Sequence, residues 1–249
     1  MKPGFLKWMV TAGIACLLAA QAHASIVITG TRVIYPADAR EVTVKLNNNG
    51  SAPALVQAWI DDGDASFEAQ QRPMPFTLTP PVFRIDPAKG QMLRVTYTRD
   101  PLPADRESVY WLNVLEIPPK ASQAQDQNTL QMAFRSRVKL FFRPAGLKGS
   151  VNDAAAQVTW SLAHAASDGK QIVLLAKNPT PYYINVTGAG VQIDGKTHES
   201  APAMIEPFGQ HEFALRDLQT MPQKQPPIQF QTVNDYGAGV PGTFPPKPR

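Results

Sequence analysis

Cysteine is almost absent: the only one among 249 residues is Cys16, and it lies in an N-terminal segment with the features of a leader. Lys2 and Lys7 are followed by an apolar run from Trp8 to Ala20 and by Ala22-His23-Ala24, the A-x-A site of a secretory signal peptide. Gly13 stands where a lipoprotein leader would carry an aliphatic residue, which argues against lipid attachment at Cys16. Cleavage after Ala24 leaves an exported chain beginning at Ser25 with no disulfide, thiol nucleophile or cysteine-bound metal. Apolar runs of the ~20 residues needed to span a bilayer are missing too, so no membrane insertion is expected. Neither charge sign dominates: 24 Lys and Arg oppose 20 Asp and Glu, and losing Lys2 and Lys7 leaves 22 basic residues. With no basic tract interleaved with aromatics, nucleic-acid binding is not expected. Histidine is scarce, and His164, His198 and His211 show no H-x-x-x-H spacing. No G-x-S-x-G elbow presents a nucleophile. The expectation is therefore no enzyme, no metal and no cofactor. Long helices are excluded as well, because 24 prolines are spread along the chain.

What the chain does have is alternation. The most informative stretch is residues 128–144, NTLQMAFRSRVKLFFRP. Read with period two, Leu130, Met132, Phe134, Ser136, Val138, Leu140 and Phe142 share one face. Gln131, Ala133, Arg135, Arg137, Lys139, Phe141 and Arg143 share the other. A strand from Leu130 to Phe142 would span roughly 43 Å at about 3.3 Å per residue, against ~17–20 Å for a typical strand. The plainer reading is that the apolar row faces its own core. Its length instead predicts an overhanging apolar edge, an aggregation hazard unless a partner uses it.

Short strands and turns fill the rest. Val42, Val44 and Leu46 alternate ahead of the Asn47-Asn48-Asn49-Gly50 turn. Asp61-Asp62-Gly63-Asp64 lacks the spacing and terminal Glu of a calcium loop and reads as a solvated hairpin loop. Residues 73–81 carry four prolines and cannot form a central strand. The apolar run from Val109 to Ile117 is broken only by Asn113 and Glu116. About seven strands at this spacing, with no amphipathic helix, predict an immunoglobulin-like sandwich over residues 25–144. A second β-rich region follows over 145–243, with 244–249 as a frayed tail. Two domains suit a mature chain of about 225 residues held by burial alone.

Several ordered motifs resemble those of the periplasmic pilus-assembly chaperones, the PapD-like family. They are Asp105-Arg106-Glu107-Ser108, residues 112–119 (LNVLEIPP), residues 138–144 (VKLFFRP), residues 178–183 (NPTPYY) and Asn234-Asp235-Tyr236-Gly237, with Thr31-Arg32 and residues 57–60 (QAWI) in support. The resemblance covers nearly the whole mature chain. It implies an all-β fold of two immunoglobulin-like β-sandwich domains in a boomerang arrangement, with an interdomain cleft. It also implies a periplasmic chaperone that caps pilus or fimbrial subunits by lending them a β-strand (residues 128–143) and passes them to an outer-membrane usher. When free, such a protein is a soluble monomer or a small self-capped dimer.

By the same resemblance, Arg32 and Lys139, assisted by Thr31, hold the subunit's C-terminal carboxylate. Leu130, Met132 and Phe134 enter its groove. Glu107, Arg143 and Asp235 form ion pairs that set the domain angle. The short connection before the long strand matches relatives that build thicker rod-like pili. The cysteine pair found in the second domain of some relatives is absent. A rival reading is a secreted structural or adhesive sandwich, itself a fibre subunit. Such a subunit would carry a free N-terminal donor segment, whereas this chain starts its first strand almost at the cleavage site.

Overall fold

The computed structural model describes residues 25–64, 72–119, 132–167, 169–218 and 220–245. The first nine strands form two facing sheets. One pairs β1 (Ile26–Ile28), β3 (Val42–Asn48), β7 (Gly90–Tyr97) and β5 (Phe76–Thr79) in that order. The other pairs β2 (Arg32–Pro36), β9 (Phe134–Arg143), β8 (Ser108–Ile117), β4 (Ala54–Asp61) and β6 (Val82–Ile85). Alternation drives the packing. Val44 and Leu46 from one sheet meet Val56, Leu112, Val114, Leu140 and Phe142 from the other, all buried. The proline-rich stretch leaves room only for β5, an edge strand lying between Pro75 and Pro80.

The second domain repeats the two-layer design. β10 (Thr159–His164), β11 (Ile172–Lys177) and β15 (Gln210–Ala214) face β13 (Lys196–Glu199), β12 (Ile184–Ile193), β16 (Ile228–Val233) and β17 (Gly239–Phe244). β14 (Ala203–Ile205) pairs with the start of β12. Trp160 fills this core between Phe213 and Phe230, with ring centroids 5.3 and 5.1 Å away.

Two expectations need correction, and among the described residues one short helix joins the otherwise all-β fold: α1 (Val151–Gln157), capped by Ser150 Oγ accepting from Asn152 N at 3.2 Å. Its seven residues are too few for a periodic pattern to stand out. The long strand begins at Phe134 and not near 130; Met132 and Ala133 precede it without strand structure. The last residue that β8 offers as a partner is Glu116, opposite Phe134, so Met132 and Ala133 have no strand beside them among the described residues. Leu130 lies outside the described residues. Asp61, read as part of a solvated loop, ends β4 fully buried.

Candidate functional site

β9 is bordered differently along its length. β8 pairs with it antiparallel from Phe134 to Phe142. On its other side β2 runs parallel and covers only Lys139 to Arg143, with Arg32 opposite Lys139 and Pro36 opposite Arg143. From Phe134 to Val138 that second edge has no strand beside it among the described residues. An unpaired backbone edge is a template for a further strand. The apolar side chains there are uncovered too: Met132 is 54 % exposed and Phe134 52 %, whereas Leu140 and Phe142 are buried.

Arg32 and Lys139 stand where the covered part of β9 gives way to the open part. Their Cα atoms are partners in the parallel ladder, and both side chains lean toward the second domain. Arg32 Nη1 donates to Val233 O at 3.1 Å, while its buried Nε has no acceptor. Lys139 Nζ donates to Asn185 Oδ1 at 2.5 Å and lies 5.5 Å from the Trp111 ring centre. Among the described residues neither cation reaches a carboxylate within ion-pair distance. Burial lowers the Lys139 pKa from its ordinary value, and the neighbouring Arg32 charge lowers it further. Burial lowers that of Arg32 as well, against a pull from Asp235. Two half-buried cations crowded together in this way favour an anion that would join them. Thr31 sits at the exposed bend just before β2. It is overlain by Gly237 (φ +84°), where a Cβ would collide with Thr31 Oγ1, so only glycine lets this turn of the second domain close on the site.

Behind the pair, the domains are joined through Arg143. Its Nε donates to Glu107 Oε1 at 2.6 Å, and its two terminal nitrogens grip Asp235 at 2.7 and 3.0 Å. Glu107 Oε2 accepts from Tyr183 N at 2.8 Å, and Glu107 N donates to Pro181 O at 2.9 Å. The Glu107 side chain keeps 2 % of its surface and Arg143 20 %, so this is no surface pair. Burial opposes the Arg143 charge, yet Asp235 and Glu107 together hold its pKa above the usual guanidinium range. Phe141, read as part of a cationic face, is buried against Tyr183 at 5.9 Å because that face of β9 meets the second domain there. A cleft of about 250 Å³ remains between the domains, bounded by Arg32, Phe141, Arg143, Asn185 and Asp235.

The other two cations of β9 are occupied. Arg137 Nη2 donates to Asp61 Oδ1 at 2.7 Å and Arg135 Nη2 to Asp61 Oδ2 at 3.2 Å, while Asn113 Nδ2 donates to Asp61 at 2.7 Å. Their guanidiniums stack over Trp111 and Trp59, 4.7 and 4.9 Å from the ring centres. Sequence reasoning missed Asp61, Asn113 and Asn185 as partners. The signal was present for Asn113, a polar residue interrupting an apolar strand, since a buried amide needs a partner. Asn185 lies next to the recognised 178–183 motif, but its link to Lys139 spans two domains and leaves no local pattern.

The description "Pili and flagellar-assembly chaperone, PapD N-terminal domain" matches residues 25–148, and "Pili assembly chaperone PapD, C-terminal domain" matches 153–244. The chain is 44% identical over 246 residues to the chaperone protein FimB/FhaD of Bordetella pertussis, covering 94% of this chain and 96% of that one. It is 43% identical over 222 residues to the probable fimbrial chaperone YadV of Escherichia coli, covering 88% and 89%. A crystal structure of the YadV chaperone superposes with a TM-score of 0.75 at 40% identity, over 88% of this chain and 98% of that one. The Salmonella enterica SafB chaperone, in complex with the SafA pilin, gives 0.71 at 26% identity over 90% and 98%.

Proposed function

We propose, for a chain that belongs to the PapD family of pili assembly chaperones, that its cleft clamps the C-terminal carboxylate of a fimbrial subunit while the start of β9 completes that subunit's unfinished sandwich. The family is non-enzymatic, so the chemistry is recognition. The observation that carries the reading is the Arg32–Lys139 pair, which makes no ion pair among the described residues, at the point where the open edge of β9 begins. Two cations around one carboxylate make charge-assisted hydrogen bonds, stronger than neutral ones.

The direction of pairing follows from the geometry. A chain whose last residue is held at Lys139, and whose body lies along the open edge toward Phe134, runs the same way as β9. The captured strand is thus parallel to β9 and collinear with β2, which takes over where the captured chain ends. Backbone pairing contributes about 1 kcal/mol net per hydrogen bond and is indifferent to side-chain identity, so one chaperone serves several subunits. Phe134 and Met132 add specificity and burial. Each is already about half covered, so the gain is about half of the ~1.5–3 kcal/mol for a fully exposed side chain. Anchoring one end also fixes register, which alternation alone leaves open to two-residue slips.

Export by the leader to the periplasm, handover to an outer-membrane usher and self-capping in the absence of a subunit belong to the same reading. The pilin complex of the similar SafB chaperone supports it. A fibre-subunit identity is not favoured, since both halves match chaperone domains.

The test uses the purified mature protein and a synthetic peptide of a fimbrial subunit's C-terminal strand, as free acid and as amide. The free acid should bind at least tenfold tighter, and Lys139→Ala should erase that preference. Equal binding of acid and amide to the wild-type protein would refute the carboxylate clamp.

A further inference from the structure

Glu116 is a carboxylate in a place that calls for a cation. It lies near the end of β8, opposite Phe134 at the root of the open edge, and is 9 % exposed. Its oxygens accept from Ser25 Oγ and, at 3.1 Å, from Ile26 N, so its side chain crosses from one sheet of the first sandwich to the start of the other. No Lys, Arg or His among the described residues comes within ion-pair distance. Among the described residues this buried carboxylate is held by neutral donors and lacks the counter-charge that normally accompanies one.

Ser25 is also the residue that would become the N-terminus on leader removal after Ala24, the cleavage expected from the sequence. We propose that this processing supplies the missing cation, and that the new Ser25 α-ammonium docks on the Glu116 carboxylate. Hydrolysis of the Ala24–Ser25 amide adds one water, leaving a carboxylate on Ala24 and an ammonium on Ser25. The Ser25 nitrogen is bonded to the same Cα that carries the hydroxymethyl group and the carbonyl leading to Ile26 N, the two groups already on the carboxylate. An open cavity of about 460 Å³, bounded by Ser25, Gly50, Pro53, Glu116 and Pro118, gives it room to turn. Ser25 is also pinned. Its carbonyl accepts from Asn49 N at 2.7 Å, and a Cβ on Gly50 would meet Ser25 Cβ at 2.6 Å, so the glycine lets the 49–53 loop close over it.

In the precursor the same nitrogen is a neutral amide and cannot play this part. Leader removal therefore finishes a tie between the two sheets at the end of the sandwich where β9 leaves its neighbours. The inference rests on the geometry at β1 and on the leader cleavage that the proposed function includes, and does not depend on subunit capture.

The experiment compares the mature chain starting at Ser25 with one extended by Gly-Ser ahead of Ser25, each with Glu116 and with Glu116→Gln. The extension should lower the unfolding midpoint by roughly 4–10 °C in the Glu116 protein, as expected for a lost charge-assisted contact in a chain of this size. In Glu116→Gln the two chain starts should melt together. An extension that costs nothing in the Glu116 protein, or costs as much in Glu116→Gln, overturns the proposal. Should Glu116→Gln fail to fold, Ser25→Ala decides, because it removes the hydroxyl but keeps the ammonium. Enzymatic Nα-acetylation of that variant should then cost as many degrees as the extension, and no loss would overturn the proposal.

Discussion

The two halves of β9 are one strand with two fates. From Lys139 to Phe142 it is sandwiched between β2 and β8, and Leu140 and Phe142 are core residues. From Phe134 to Val138 it has β8 on one side and, among the described residues, no strand on the other, and Phe134 stays half exposed. The cations divide in the same way. Arg135 and Arg137 both pair with buried Asp61, whereas Arg32 and Lys139 make no ion pair among the described residues, the nearby Asp235 being held by Arg143. Strand alternation makes the same pattern throughout; what separates core from docking edge is where the neighbouring strand starts. The covered half holds the free half in position, and the unbalanced charge marks the border.

Substitutions should separate the halves. Leu140→Ala, in the covered half, should cost about 2–5 kcal/mol of stability in a denaturant titration, because it leaves a cavity in a closed core. Lys139→Ala, at the border, should cost about 2–5 kcal/mol in subunit capture, with an unfolding midpoint near that of wild type; Arg32→Ala should behave likewise. Co-purification of a tagged subunit at wild-type yield with either would disprove the role. Asp61→Asn should cost about 3 kcal/mol of stability, the lower end of the range for breaking a buried pair, since its two arginines keep some contact with water. Phe134→Ala, in the free half, should leave stability unchanged and weaken capture by about 1 kcal/mol. Met132→Glu should weaken capture further by forcing a charge into an apolar groove.

The pH dependence sharpens the border. Lys139 holds a carboxylate only as the ammonium, and its pKa in the free protein is lowered from 10.5. Capture should be at full strength below that lowered value and should fall as pH rises through it, by up to about tenfold per pH unit. The same depressed pKa has the opposite sign for folding. The unfolded chain binds more protons at Lys139 in this window, so this group's contribution to stability rises with pH there. A loss of capture that begins at alkaline pH while the fold holds would separate site from scaffold.

Much of this was legible in the sequence. Period-two alternation put Leu140 and Phe142 on one apolar face, and the prolines of residues 73–81 excluded a central strand where the structure has the edge strand Phe76–Thr79. Ordered motifs pointed to Arg32, Lys139, Glu107, Arg143 and Asp235 together, and the structure brings them to one cleft. What the sequence could not give was anything set by a neighbour remote in the chain. The strand's beginning depends on where β8 ends, the fate of Asp61 on two arginines 74 and 76 residues away, and the partner of Lys139 on a second domain. Glu116 announced itself only as a break in an apolar run, and its contacts lie 90 and 91 residues upstream.

The central claim is that residues 134–138 of β9 are an edge waiting for a strand while 139–143 already have one. Amide hydrogen exchange along β9, with and without a subunit's C-terminal strand peptide, tests it directly. Residues 139–143 should be protected in both states. Any backbone N–H of 134–138 that points away from β8 should exchange quickly in the free protein and become protected only with the peptide. Equal protection of both halves without peptide, or no change on adding it, would contradict the account.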